Sequence, residues 1–301
     1  MLSSLAPNYQ EFLNAMSQIQ QRLVTDETQL ASGLRINQVS DAPDQIGPLL
    51  QTRSQLSQLT QINQNLNQVK SETDGSESAI QSAVSIMDQV QSLATQGEPT
   101  TTSASTRTTI AQQLGTALTN LVNLADTAIG GRFVFSGNSD QTQPYTIDLT
   151  QTNPVSAYAG SAATRQVQIP GGTSISVSLS AQQIFDGSTP QSNVFNAVNS
   201  IRLAMQNNDQ AGIDAAIPTL ATAASYLNQQ LANYGSFQSN VNNAITAGQT
   251  MDTQLQTQLA NIQDANSAQV ITDLQQAQIQ NQAALTAEGQ FPRTSLFNFL
   301  G

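Results

Sequence analysis

From Phe12 onward the apolar residues Met16, Ile19, Leu23 and Leu30 step by three and four, which places them on one stripe of a helix. Asp26 holds the one stripe position that is not apolar. A helix with a single apolar stripe stays folded only when something covers that stripe. After Ser32 and Gly33, a longer pattern runs through Leu56, Leu59, Ile62, Leu66 and Val69, then Ile80, Ala83, Met87 and Val90. It keeps a near-heptad register across Thr73 and Ser76, where the stripe turns polar beside Gly75, so the spacing predicts one long helix with a bend near Gly75. Gly97, Glu98 and Pro99 stop it, and a Thr/Ser-rich turn leads at about Ser105 into a third helix bearing Ile110, Leu114, Ala117, Leu121, Leu124 and Ala128 on one face. The first half therefore reads as a long helical hairpin.

The period changes after Gly130. Arg132-Phe133-Val134-Phe135-Ser136-Gly137 is a short apolar run ended by glycine, while Tyr145 to Leu149, Val167 to Ile169 and Ser174 to Leu179 alternate between apolar and polar residues. These segments, bounded by Gly, Pro or Asn, predict strands of a small β-rich region that ends near Asp186-Gly187. Helical spacing returns at Val194, Val198, Ile201 and Met205, with a turn at Asn207 to Asp209. It resumes at Ile217, Leu220, Ala224 and Leu227, where Pro218 is expected to mark a helix start. A last pattern through Val241, Ile245, Met251, Leu255, Leu259, Ile262, Val270 and Leu274 predicts one final helix, closed by Pro292 and able to pair with the helix beginning near Phe12. The expected fold is mainly α with a β-rich insert. Both chain termini form long antiparallel helical hairpins or a coiled coil around a small central β domain. The expected divisions are 1–130, 131–190 and 191–301.

Composition narrows what such a fold can do. Only 10% of the 301 residues are charged and 38% are hydrophobic, so long polar but uncharged surfaces accompany a chain able to bury a core. Such surfaces suit close packing against copies or neighbours. The net charge of −11, with no Lys/Arg cluster, argues against nucleic acid and against docking on an anionic membrane. No apolar run approaches the roughly 20 residues that span a bilayer. No basic segment precedes an apolar stretch at the start, so export without a cleavable signal peptide is expected. Cys, His and Trp are all absent, which removes thiol nucleophiles, imidazole bases and most zinc sites. Asp41 with Asp44, and Asp26 with Glu27, have neither calcium-loop spacing nor a converging base. No enzyme, cofactor or metal site is expected.

The most informative string is Leu30-Ala31-Ser32-Gly33-Leu34-Arg35-Ile36-Asn37, followed by Ser40-Asp41-Ala42-Pro43-Asp44. Physically it is a helix break: Gly33 suits a helix end, and Asp41 is placed to cap a helix whose third residue is Asp44. The fork of Arg35 suits clamping a neighbour's carboxylate or backbone carbonyls, or pairing within the chain. As a string, this segment resembles the S-G-x-R-I-N motif near the start of bacterial flagellins and flagellar hook-associated proteins. Thr73 to Gln96 resembles that family's second helix, and Gly130 to Gly137 its G-R-x-x-F-x-G junction. Ser295-Leu296-Phe297-Asn298-Phe299-Leu300 resembles the S-L-F-D-Y-L tail of the family's hook-associated protein 3 branch, the hook–filament junction proteins. The chain departs from the family in Met1 to Pro7, which lack a basic start, in Pro48, early in the second helix, and in Pro292. The resemblance covers roughly the first 140 and last 110 residues.

What the resemblance implies is a structural subunit of the extracellular bacterial flagellum, exported unfolded through the flagellar type III secretion apparatus. Its terminal segments would pair in the axial core of a tube, with the β-rich middle facing outward. The implied partners are other flagellar axial proteins, namely a neighbouring hook-associated protein and flagellin, together with copies of itself. Candidate interface residues are Leu34, Arg35, Ile36, Asn37, Leu121, Leu259, Leu296, Phe297, Phe299 and Leu300. A filament-forming flagellin is the alternative within the family, and a secreted, coiled-coil, adhesin-like protein is the alternative outside it.

Overall fold

The stripe of the first helix is covered by the far end of the same chain. In the computed structural model, which describes residues 5–187, 189 and 192–290, seven helices follow one another: α1 (Leu5–Ser32), α2 (Ile46–Gly97), α3 (Ala104–Ala125), α4 (Ala181–Phe185), α5 (Val194–Gln206), α6 (Gln210–Gln263) and α7 (Ser267–Gln290). Two compact units result. One is formed by the described residues up to Gln58 and from Asp252 onward, the other by Leu59–Met251.

In the terminal unit α1 packs on α7. Met16 is buried, and Phe12, Ile19 and Leu23 are half-buried; Val270 and Ala277 are buried on α7. The pair is antiparallel, because Leu34 pairs with Asp264 while Asp26, earlier in the chain, faces Asp273, later in it. Asp26 and Asp273 line one small recess with Arg22, Gln276, Ala277 and Gln280. Burial raises the Asp26 carboxyl above its ordinary value, the Asp273 charge raises it further, and Arg22 partly offsets both.

In the central unit one continuous core joins α2, α3, α5 and α6 to the insert. Ile80, Met87, Leu114, Leu118, Leu121, Ile201, Ile213 and Leu227 are fully enclosed with Phe135, Tyr145 and Phe185. The aromatic residues interlock: Phe185 stacks on Phe195 at 5.6 Å between ring centres, and Tyr145 meets Phe195 edge-on at 5.1 Å. Two hairpins supply the strands, β1 (Ala128–Ile129) with β2 (Arg132–Phe133), and β3 (Gln166–Gln168) with β4 (Ser174–Ser176). The fold is thus mainly α with a β insert, but the strands are shorter than the alternating patterns predict. Tyr145 to Leu149 makes a single bridge, Ile147 to Val155, because the chain turns at Asp148, whose carboxylate accepts from the Thr150 N–H at 3.0 Å and its hydroxyl at 2.6 Å. The β3–β4 hairpin packs Val167, Ile175 and Val177 against Val69, Val241 and Ile245.

Two sequence expectations about helices are corrected, while the long second helix is present as one element. α2 runs unbroken past Gly75, where the Ile129 Cδ1 methyl occupies the space that a Cβ would take. The polar stripe beside it is where Arg165 of the insert forms an ion pair with the nearly buried Glu72, while the Thr73 and Ser76 hydroxyls donate to the Val69 and Glu72 carbonyls at 3.0 and 2.7 Å. Pro218 lies inside α6 instead of starting it. The buried run Ile213, Ala216, Leu220, Ala223 and Leu227 flanks Pro218 on both sides, so core burial outweighs the roughly 3 kcal/mol that an interior proline costs. The last helix is two helices, α6 and α7, separated at Asp264 to Asn266. Asn266 Oδ1 accepts from the Gln269 N–H at 3.3 Å and so caps a new helix. The two Asp carboxylates on the α1–α7 seam supply a test. Because the folded-state pKa of Asp26 is raised, its favourable contribution is complete below the unfolded value of 3.8 and is lost as pH rises through the folded one. Asp26→Asn should therefore stabilise the terminal unit by about 0.5 kcal/mol at pH 7, with the gain vanishing below pH 3.8. Urea unfolding across that range checks this, and equal stability at pH 7 would contradict it.

Candidate assembly site

The helix break at Ser32 to Asn37 meets the break at Ile262 to Asn266. α1 stops because Gly33 takes a φ of +71°, which ends a helix cheaply only for glycine, and its N–H closes the last turn on the Gln29 carbonyl at 2.9 Å. α6 stops at Gln263, leaving carbonyls that no helical N–H can reach. Arg35 and its neighbours fill those vacancies. The Arg35 N–H donates to the Gln263 carbonyl at 2.7 Å, and the Ile36 N–H to the same oxygen at 3.4 Å. Arg35 Nη2 donates to the Ile262 carbonyl at 2.6 Å. In return Ala265 N–H donates to the Gly33 carbonyl at 2.9 Å. A guanidinium at a helix C-terminus also meets the negative end of the helix dipole. Arg53 reinforces the joint by donating to the side chain of Gln263.

Beneath this polar layer lies a small apolar one. Ile36, Ala42 and Leu49 are buried together, with Ile46, Leu259 and Ile262 packed against them. Asn37 Nδ2 donates to the Leu34 carbonyl at 2.8 Å, which fixes the turn. Asp41 caps this turn and no helix: its Oδ2 accepts from the Asn37 and Gln38 N–H groups at 2.9 and 2.8 Å, whereas α2 begins only at Ile46. The Asp44 carboxyl lies below its ordinary value, chiefly because Gln45 Nε2 donates to it at 2.8 Å, with the Arg35 charge adding to the effect. Pro48 falls in the first turn of α2, where its missing N–H would have had no helical partner.

Leu34, Arg35, Ile36, Asn37 and Leu259 are therefore brought to one place. Leu121 is not: it sits fully enclosed in the central core, where it serves the folding of the subunit and offers no atom to a neighbour. Leu296, Phe297, Phe299 and Leu300 lie outside the described residues, as does Pro292. The sequence reading missed Gln29, Arg53, Gln263 and Ala265. The available signal was Asp264-Ala265-Asn266-Ser267, a helix-capping string inside an apolar pattern that otherwise looked continuous. Around the joint, apolar side chains stay uncovered. Of the eleven large hydrophobic residues exposed among those described, nine belong to the terminal unit, including Val24 at 64% and Ile279 at 69% exposure. Among the described residues no three potential metal ligands converge, and no helix is long and apolar enough to cross a membrane.

Residues 6–140 match the bacterial flagellin N-terminal helical region, and residues 217–300 match the bacterial flagellin C-terminal helical region. Similar solved structures include a candidate flagellar hook-associated protein from Vibrio parahaemolyticus, with a TM-score of 0.66 at 17% identity over 74% of this chain and 100% of that one. FlgL from Xanthomonas campestris has a TM-score of 0.60 at 18% identity, over 68% of this chain and 98% of that one. The flagellar junction protein FlgL from Legionella pneumophila has a TM-score of 0.56 at 12% identity, over 72% and 99%. At these identities the likeness is one of fold. No curated protein matches the chain.

Substitutions at the joint and in the core should separate their roles. Arg35→Ala removes one charged hydrogen bond and a dipole partner at an exposed position, and should cost about 1 kcal/mol. Leu259→Asp should cost about 2–3 kcal/mol. Both should loosen the terminal unit and leave the near-ultraviolet signal of the central aromatic cluster intact. Leu121→Asp should abolish that signal, since a carboxylate in the enclosed core costs about 4 kcal/mol or more. Loss of the aromatic signal in Arg35→Ala would contradict this division.

Proposed function

This chain belongs to the bacterial flagellin family, whose members are structural subunits and not enzymes, and on that premise we propose that it joins the hook of the flagellum to its filament. The observation that carries the reading is the uncovered apolar surface of the terminal unit. α1 and α7 satisfy one another along their shared seam, yet Leu13, Val24, Ile279 and Leu285 still point to water. Burying such side chains contributes about 1.5–3 kcal/mol each, so a ring of subunits packed through this unit gains far more than a solitary one. The hook-associated and junction proteins among its structural neighbours support the same role.

In this reading one edge of the terminal unit meets a neighbouring hook-associated protein, the other meets flagellin, and the lateral faces meet copies of the same chain. Residues 131–190 face outward between the helical segments 1–130 and 191–301. Leu34 and the tail residues Leu296, Phe297, Phe299 and Leu300 contribute to docking, while Arg35, Ile36, Asn37 and Leu259 hold the docking surface in shape. The chain leaves the cell through the flagellar type III apparatus, a route suited to a sequence with no cysteine to form disulfides.

Deleting the gene and imaging cells and culture medium by electron microscopy tests the assignment. The expected result is hooks without filaments, with flagellin shed as monomer. Hooks that still carry filaments would overturn it, an altered or missing filament above an intact cap would favour a flagellin, and an unchanged flagellum would favour an adhesin-like protein.

A further inference from the structure

Two buried cations of the central unit, Arg107 and Arg202, have no carboxylate partner among the described residues, and they differ in what replaces it. Arg202 on α5 is only 7% exposed, yet among the described residues no carboxylate lies within ion-pair distance of it. Its three hydrogen bonds go to neutral amides: Nε and Nη2 donate to Asn199 Oδ1 at 3.0 and 2.8 Å, and Nη1 to Gln206 Oε1 at 3.3 Å. Asn199 is itself pinned, since its Nδ2 donates to the Thr152 carbonyl at 2.8 Å. Burial is the one influence acting on the Arg202 pKa, and it lowers it. The other well-buried arginine is different. Arg107 spends its fork on the Gly97, Glu98 and Pro99 carbonyls and on Asn208 and Gln210, five oxygen partners on the chain ends it ties together. Arg202 keeps two N–H groups unspent, and a buried cation without a counter-charge is costly.

Arg202 lines a groove of about 460 Å³ between α3 and the segment bearing Leu149. Its rim is chemically uniform. Thr108, Thr116 and Thr119 each donate their hydroxyl proton to a helix carbonyl four residues back, at 3.0, 3.3 and 3.1 Å, which leaves their oxygens as acceptors. Gln112 and Asn120 add amide groups to the lining. Leu149, 40% exposed, gives one apolar wall. A groove of this size accommodates a small molecule.

We propose that this groove binds a hydroxylated carboxylate of the acidic-sugar class, with the acid held by the Arg202 fork and the ring hydroxyls held by the threonine oxygens and the Gln112 and Asn120 amides. A planar guanidinium matches a carboxylate through two parallel N–H donors. An uncharged sugar would leave the cation unpaired, and a simple aliphatic acid would leave the row of acceptors empty. The site lies wholly within the central unit and does not rest on the junction role.

The test uses the full chain and ligand-observed NMR with D-glucuronate, D-glucose, acetate and N-acetylglutamate amide as probes. The expected result is saturable binding of glucuronate, at least about tenfold weaker binding of each other probe, and at least tenfold weakening in Arg202→Gln, tenfold being about 1.4 kcal/mol. Because Arg202 is buried and its replacement can unfold the unit, Leu149→Glu provides a second readout. It supplies the missing carboxylate from within the chain and should abolish glucuronate binding while raising the melting temperature. Absence of glucuronate binding, or glucuronate binding unchanged in either variant, overturns the proposal. Equal binding of N-acetylglutamate amide also overturns it, and assigns the groove to an acidic side chain of a neighbouring protein.

Discussion

A helix of any length ends in carbonyl groups that its own backbone cannot satisfy, and in this protein the carbonyl end of α6 is satisfied from 227 residues away by Arg35. Much of the terminal unit depends on that capping. The Arg35 and Ile36 amides fix where α6 ends, the Gly33 carbonyl receives Ala265 as the chain leaves it, and Asn266 starts α7 in the direction that lays it back along α1. Ile36, Leu49 and Leu259 then close over the joint from the apolar side. Each contact is worth about a kilocalorie or two. Together they convert two single-stripe helices, each unstable alone, into a pair that can present a second apolar surface to neighbours.

The central unit is held differently. Its insert has few strand hydrogen bonds, so its order comes from Phe135, Tyr145 and Phe185 being swallowed by a core that the helices also build. Two charged groups enter the interior in matched sets. Glu72 takes Arg165 from the insert, and Arg107 takes the carbonyls that end α2. A buried ion pair adds little net stability, because desolvation offsets attraction, but a mispaired insert would leave Glu72 alone at high cost. Glu72 with Arg165 thus selects one docking of the insert on α2. Arg202 differs, a buried cation whose partners are two neutral amides.

Much of this was legible in the sequence because helices announce themselves by period. The stripes through Leu66 and Met87 and through Leu114 and Leu121 are buried as their spacing requires, whereas that of the first helix is buried at Met16, half-buried at Leu23 and exposed at Leu30. The failures have a common cause: period reports which face is buried and is silent on what buries it. It could not tell that Gly75 makes room for Ile129, that Pro218 is carried by packing on both sides, or that Asp264 to Asn266 interrupts a stripe that continues in register. The Ser32 to Asn37 string was visible as a break and as a family signature. Its use, a cap for a helix that ends at residue 263, depends on a contact between chain-distant segments that no local pattern encodes. Arg202 was invisible for the same reason, since a missing counter-charge is a property of the folded surroundings.

The capping by Arg35 should unite the two chain ends into one cooperative unit. Hydrogen exchange at single-residue resolution measures this most directly, through the amides of Arg35, Ile36 and Ala265. All three should exchange with one common opening free energy in the native chain, and in a chain with alanine at position 35 the remaining two should lose protection together. Protection of Ala265 that persists while Ile36 exchanges freely would mean that the two ends fold independently and that the cap is incidental.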